Sequence, residues 1–350
     1  VLMFISGFAE MISFTAVIPF LSVLTEPERL FGLKQFRFIY QLLKIDNESE
    51  LLIPVSLLFI SIAILAATIK LTTIWINGRY AASVGSEISL KSFSNNLMQP
   101  YNVQIEKKTS QIITTSTSYL NATVLVLHQT LWLISNTLIS ILILIGLFII
   151  NSKIAIILFS IFGTAYLFLM SKVKNRLKGN SNFIALANQK QVKYIQEAFG
   201  SIRDIILDKS YKNFIDIYKN IDEKMRIRNA DSIFLSIYPR NILEVVGLIF
   251  LVSIALVMYL TNQSNINNLL PLLGGFALGA QRLLPAMQQS YNSWATINAY
   301  SSEISCVIES LSQKVLVDLE GSRKMNKNKK SNIFKNKIYF KSIGFKYQKE

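Results

Sequence analysis

Six stretches of predominantly apolar residues dominate this chain of 350 residues. They run over residues 1–24, 51–76, 124–150, 154–170, 233–260 and 269–299. A helix needs roughly 20 apolar residues to cross the ~30 Å hydrocarbon core of a bilayer. Strands of a membrane barrel are about half as long and alternate in polarity, so these stretches indicate helices. The sequence therefore predicts an all-α membrane protein with six long transmembrane helices.

Basic residues are concentrated on one side of the predicted spans. Residues 171–228 hold thirteen basic and six acidic residues, and the tail from residue 302 holds eleven and five. Residues 25–50, on the opposite side, hold four and five. Because basic connections stay in the cytoplasm, both termini are predicted to be cytoplasmic. The net charge of +15 then follows from topology, and nucleic acid is not expected as a partner.

The cytoplasmic connections have the pattern of helices. No proline occurs between Pro100 and Pro239, which permits long uninterrupted helices. Apolar residues recur at helical spacing through residues 171–228, which would reach roughly 40 Å out of the membrane and return. The spans are thus predicted to continue into the cytoplasm as rigid levers that touch a partner, with a solvated connector as the alternative. They are predicted to turn back at residues 99–102 and near residues 208–211. On the outer side, residues 30–44 are predicted to form an amphipathic helix in the membrane interface or packed on the spans.

The composition changes after residue 319. Residues 320–337 are polar and rich in lysine and asparagine, as in a linker. The following residues alternate apolar and polar side chains like a β-strand, and a single strand is not stable alone. We therefore predict a six-helix membrane domain over residues 1–319, a linker, and the start of a second, truncated domain over residues 338–350.

These features together resemble an ABC exporter half-transporter. The strand from Ile338 to Tyr347, Ile-Tyr-Phe-Lys-Ser-Ile-Gly-Phe-Lys-Tyr, resembles the entry into the nucleotide-binding domain of that family. Ile343 stands where the family usually has valine, and Gly344 replaces a small polar residue. The resemblance implies that Tyr347 stacks on the adenine of ATP, and that the rest of such a domain binds ATP with Mg²⁺.

The same resemblance implies two coupling helices that dock on nucleotide-binding domains. They are predicted over residues 101–108 and 211–218, with the contact residues Tyr101, Asn102, Glu106, Tyr211 and Phe214. The 350 residues contain no Gly-x-x-x-x-Gly-Lys-[Ser/Thr] loop for phosphates, and no Walker B acid or signature motif. No catalytic residue is therefore predicted here, and ATP hydrolysis is expected of the full-length protein.

Ionisable residues within the spans are costly in lipid and mark candidate sites. Arg240 and Glu244 lie four residues apart in the fifth span, so they either pair or line the pathway. Arg282 lies in the sixth span among glutamine, asparagine and serine residues, as in the wall of a wet cavity. With Arg79 of the second span they are predicted to form a substrate cavity, since guanidinium groups bind phosphate bidentately. Arg79 and Lys70 have an alternative reading, in which they reach towards the membrane interface.

The remaining ionisable or reactive residues point less clearly to a function. Glu10 is a second acid within the spans. His128 is predicted to be packed and hydrogen-bonded, and Cys306 to be a small buried apolar residue. Because the chain has one histidine and one cysteine, no metal site and no internal disulfide are predicted.

Among ABC exporters, the chain resembles the bacterial lipid-linked oligosaccharide flippases (the PglK-like group). The likeness lies in the outer amphipathic helix, in Pro239-Arg240 with Glu244, and in Arg282-Leu-Leu-Pro285. It implies a homodimer, or a dimer with a paralogous half-transporter, in the inner membrane of a bacterium. Such a dimer would translocate an anionic lipid-linked saccharide by alternating access.

Two other functions stay open on the sequence. An exporter of peptide, lipopeptide or hydrophobic drug is favoured if Arg240 and Arg282 are helix contacts. A membrane channel or scaffold with a non-ATPase cytoplasmic domain is favoured if no phosphate-binding loop follows. A membrane enzyme lacks a convincing catalytic set of residues.

Overall fold

The computed structural model describes residues 1–17, 20, 23, 52–150, 152–261, 266–313 and 341–344. The predicted outer amphipathic helix, the linker over residues 320–337 and Tyr347 lie outside the described residues. Within the described residues every regular element is helical, and residues 341–344 form no strand. The predicted β-strand after the linker therefore stays a prediction.

The helices are numbered here in chain order. They are α1 (Leu2–Thr15), α2 (Leu52–Leu97), α3 (Tyr101–Glu106), α4 (Thr109–Thr114), α5 (Leu120–Ile150), α6 (Ser152–Gly200), α7 (Ile202–Asp208), α8 (Tyr211–Thr261), α9 (Ile266–Ala299) and α10 (Ser301–Ser312). A π-helical turn, Thr115–Tyr119, joins α4 to α5.

Three of the described helical segments are long and apolar enough to cross a membrane: Leu52–Leu97, Thr109–Ile149 and Tyr211–Ile249. The apolar face of α2 is exposed along its length, with Leu57 and Leu65 each 62% exposed, as expected where the solvent is lipid. These features confirm an all-α membrane protein. The remaining predicted spans fall in α1, α6 and α9, and a total of six crossings stays a prediction.

The helices α6 and α8 form a long antiparallel hairpin. With 49 and 51 residues, each is roughly 70 Å long, more than twice the thickness of the hydrocarbon core. The Asn180 amide donates to the Ser232 hydroxyl at 3.1 Å, and the Gln191 amide donates to the Asp222 carboxylate at 3.0 Å. Within each pair, the two residues lie at a similar number of positions before and after α7, which forms the tip. The prediction of helical extensions in place of loops is confirmed for this hairpin.

The short helix at the tip lies at a different position from the predicted one. Residues 211–218 were expected to be a separate short helix, but they form the first two turns of α8. The separate short helix is α7, which ends at Lys209 in a left-handed conformation with φ 54°. The Ser210 N–H then bonds to the Ile205 carbonyl at 3.2 Å, which reverses the chain. The chain therefore turns back near residues 208–211, as predicted, and the short helix precedes this turn instead of following it.

The core of the bundle lies where α1, α5, α8 and α9 meet. Phe14, Ile143, Leu147, Leu243 and Leu283 are each no more than 1% exposed. Close approach of α9 to α1 depends on a residue without a side chain: a Cβ at Gly279 would lie 2.9 Å from the ring of Phe14 and 2.6 Å from Leu147.

The short helix α10 connects the end of α9 to α6 and to the turn between α2 and α4. The Ser181 hydroxyl of α6 donates to the Glu303 carboxyl at 3.0 Å. At the other end of α10, the Asn96 amide of α2 donates to the Ser310 hydroxyl at 3.0 Å, and the Lys107 ammonium donates to the Gln313 side chain at 2.5 Å. These two regions therefore share one buried attachment close to the end of the membrane domain.

Candidate substrate cavity

A cavity of about 270 Å³ opens between α6, α8 and α9. Seven of its nine lining residues carry a polar group, although apolar atoms make up about half of the lining surface. The lining residues are Tyr166, Ser236, Ile237, Arg240, Pro285, Gln288, Gln289, Tyr291 and Asn292. A polar cavity within otherwise apolar spans fits a bound polar ligand better than it fits packing.

Pro239 fixes the α8 wall of this cavity. Proline has no N–H, so the Leu235 carbonyl one turn earlier has no helical partner. The Tyr291 hydroxyl of α9 donates to that carbonyl at 3.1 Å, and Tyr291 itself is 1% exposed. This bond between α8 and α9 lies beside Arg240, the residue after the proline, and fixes the separation of the two walls.

The α9 wall presents amide side chains. Gln288, Gln289 and Asn292 are at neighbouring positions on the helix and are partly buried. Within the described ranges, no hydrogen bond or ion pair uses the side chain of these residues or of Arg240. Opposite them, the hydroxyl of Tyr166 is buried and unpartnered in the described part of the chain. One guanidinium, three amides and a hydroxyl are thus available to a ligand.

Arg282 lies outside this lining, in an ion cluster. Its guanidinium is 3.0 Å from one carboxylate oxygen of Glu10, and the Lys70 ammonium is 2.7 Å from the other. Glu10 is 8% exposed, so its charge is balanced by residues of two other helices. The cluster joins α1, α2 and α9.

The other two predicted cavity residues are also elsewhere. Arg79 stacks over the ring of Trp75, one turn earlier in α2, with 5.6 Å between the guanidinium and the ring centroid. Glu244 is exposed, and the described residues contain no ion pair between it and Arg240. The structure therefore brings Arg240 to the cavity, and substrate binding by Glu244, Arg282 and Arg79 stays a prediction.

Two cavity residues were missed by the sequence reasoning. Tyr166 and Ser236 lie in apolar stretches, where a lone hydroxyl has many structural explanations. The sequence signal for a functional role was a hydroxyl side chain among aliphatic neighbours within a predicted span. The polar face of α9, including Gln288, Gln289 and Asn292, was predicted correctly as a cavity wall.

The hairpin tip carries exposed apolar side chains. Phe199, Leu207 and Ile215 are 72%, 68% and 62% exposed, and Tyr211 is 45% exposed. We call these four residues the tip surface. Phe214 of the predicted coupling set is partly buried beside it.

The other turn-back is built around α3. Tyr101 is 76% exposed and Asn102 is exposed, while Glu106 is the last residue of this helix. A short helix between α2 and α4 agrees with the predicted position of the first coupling helix. A docking role for residues of either turn stays a prediction.

A buried acid lies between α10 and α6, beyond the predicted spans. Glu303 is 2% exposed, and its Oε1 atom has no hydrogen-bond partner within the described residues. Burial raises the pKa of this carboxyl above its ordinary value. The attachment of α10 is therefore most stable with a protonated Glu303.

No protein-family model matches the chain. The resemblance to the ABC exporters therefore stays an expectation from the sequence.

Proposed function

We propose that this chain is the transmembrane subunit of an ATP-driven ABC exporter that acts as a dimer and translocates an anionic lipid-linked saccharide. The observation that carries the proposal is that one hairpin, α6 to α8, bears both one side of the cavity and the tip surface. Tyr166 and Arg240 lie in its membrane portion, and Leu207 and Ile215 lie at its far end.

The hairpin supports transmission of force. Its two helices are bound to each other by side-chain hydrogen bonds at Asn180 and Gln191, so they move together. Large apolar side chains at a tip surrounded by water are a typical protein-binding surface. An ATP-binding domain docked there would displace the cavity walls when it closes on ATP, as in rigid-body alternating access.

The cavity supports an anionic, hydroxyl-rich headgroup as ligand. Arg240 offers the planar donor pair that suits phosphate or pyrophosphate, and it stays charged when desolvated. The amides of Gln288, Gln289 and Asn292 both donate and accept, as sugar hydroxyls require. A homodimer would present two such arginines to one pathway.

A second candidate is an exporter of peptide, lipopeptide or hydrophobic drug. It is favoured by the pairing of Arg282 with Glu10, which leaves one described arginine in the cavity of each chain. A hydrophobic substrate needs fewer charged contacts than a pyrophosphate does.

The test is substrate-stimulated ATPase activity of the full-length protein in liposomes. We expect stimulation by a polyprenyl-pyrophosphate glycan and a loss of about tenfold or more in the Arg240→Ala variant, since a charged hydrogen bond contributes about 1.5 to 3 kcal/mol. Arg176→Ala is the control, because Arg176 is an exposed arginine of α6 outside the cavity lining.

Three results would count against parts of the proposal. Normal stimulation of the Arg240→Ala variant would remove the headgroup assignment. Stimulation by hydrophobic peptides alone would favour the second candidate. Absence of ATP hydrolysis in the wild-type protein would favour a channel or scaffold.

A further inference from the structure

The ion cluster around Glu10 carries an excess of positive charge. One carboxylate faces the Lys70 ammonium at 2.7 Å and the Arg282 guanidinium at 3.0 Å. The residues of this cluster therefore sum to a charge of +1 at a position within the predicted spans. The Lys70 and Arg282 side chains are 47% and 38% exposed, so this charge is partly accessible, and in the low dielectric of a membrane a counter-charge would stabilise the fold.

A small recess lies on the Lys70 side of this cluster, between α1, α2 and α5. Its volume is about 50 Å³. Its polar lining residues are Ser6, Lys70, Thr73, Asn77, Ser135 and Asn136. No carboxylate belongs to this lining. The recess is separate from the cavity at Arg240, which is lined by α6, α8 and α9.

Several hydrogen-bond donors of the recess have no protein partner. Ser6 is 1% exposed and Asn77 is 8% exposed. Across the described stretches, no hydrogen bond uses the side chain of either residue or of Ser135. Buried polar groups are normally hydrogen-bonded, so these donors point to a bound species.

The side chains of two other polar lining residues already donate hydrogen bonds to backbone carbonyls. The Thr73 hydroxyl donates to the Ile69 carbonyl at 2.8 Å, and the Asn136 amide donates to the Trp132 carbonyl at 2.9 Å. The free donors are therefore two hydroxyls, one amide, and the hydrogens of the Lys70 ammonium that do not face Glu10.

We infer that this recess binds a small inorganic anion of the halide type, such as chloride. The free donors and the excess charge select an anion over a cation. The volume admits a monatomic ion, because a cavity of about 10 to 15 Å³ already holds one water molecule. The ion would neutralise the cluster that joins α1, α2 and α9.

The experiment measures thermal unfolding of the purified full-length protein against chloride or bromide concentration, with gluconate at equal ionic strength as the reference. We expect a saturable rise in Tm with halide, since a ligand at ten times its dissociation constant shifts the folding equilibrium about 11-fold. Bromide-soaked crystals should give an anomalous peak between Lys70 and Asn77.

Two variants distinguish a bound halide ion from bound water in the recess. Asn77→Asp places a carboxylate in the recess beside Lys70, so its Tm should no longer depend on halide. Ser135→Ala removes one donor from a partly buried position and should raise the halide concentration needed for half of the effect. Equal Tm values in chloride and gluconate, or an unchanged halide response in both variants, would overturn the assignment in favour of water.

Discussion

At the scale of residues, the structure depends on a few polar groups that are buried far from their sequence neighbours. Glu10 pairs with Arg282 across 272 positions of the chain. The sequence reasoning marked both residues as ionisable groups in spans, but no local pattern could pair them. Arg240 was predicted to line a cavity and does so, because it follows Pro239 on a helix whose next turn faces α9.

Glu303 predicts how stability depends on pH. Burial raises the pKa of its carboxyl above the ordinary value of 4.5. A raised pKa means that the folded state binds the proton more tightly than the unfolded state does. The stabilising contribution is therefore complete below about pH 4.5 and is lost as the pH rises through the pKa of the folded state.

Glu303→Gln should remove this pH dependence. The amide is neutral at all pH values and keeps the shape of the protonated acid, so the variant should have a higher Tm than the wild type at pH 8 and a smaller advantage at pH 5. Glu309→Gln is the control, because Glu309 is exposed on the same helix. An equal effect of both substitutions at pH 8 would argue against a protonated Glu303.

At the scale of elements, the length of α6 and the turn-back near residues 208–211 followed from the sequence, whereas the position of the short helix did not. The absence of proline between Pro100 and Pro239 allowed long helices, and the structure has them. The left-handed conformation of Lys209, which this residue type rarely adopts, ends α7 before the turn, so the short helix precedes the turn instead of following it. The partners in close contacts between helices, such as Phe14 and Leu147 against Gly279, come from distant parts of the chain and are not visible in a local pattern.

Gly279 provides a test of that packing. An added Cβ would meet the Phe14 ring at 2.9 Å in the core, and the ring has no room to turn away. Gly279→Ala should therefore destabilise the protein by about 1 to 3 kcal/mol through overpacking. A lower Tm in detergent would measure the effect.

Gly163→Ala in α6 is the matched control. Nothing lies within 4 Å of the position that a Cβ would take there. Alanine favours helices over glycine by up to about 1 kcal/mol, so the Tm of this variant should stay the same or rise. Similar losses in the two variants would show that the approach of α9 to α1 is not the cause.

At the scale of the whole molecule, a hairpin longer than the membrane is thick joins a polar cavity to an apolar tip. The sequence predicted this arrangement as far as the extensions and the polar wall of α9. It could not show that, of the three predicted arginines, Arg240 alone lines the described cavity, because this depends on how α1 and α2 pack against the other helices. The central claim is that force applied at the tip surface moves the cavity.

ATP-dependent translocation of a pyrophosphate-linked glycan lipid in proteoliposomes tests this claim most directly. We compare the wild type with Leu207→Asp at the tip and with Leu186→Asp, which changes a similarly exposed leucine of α6 away from the tip. The account predicts ATP-dependent translocation that is lost in Leu207→Asp and kept in Leu186→Asp. Translocation that proceeds without ATP, or that is unaffected by Leu207→Asp, would contradict it.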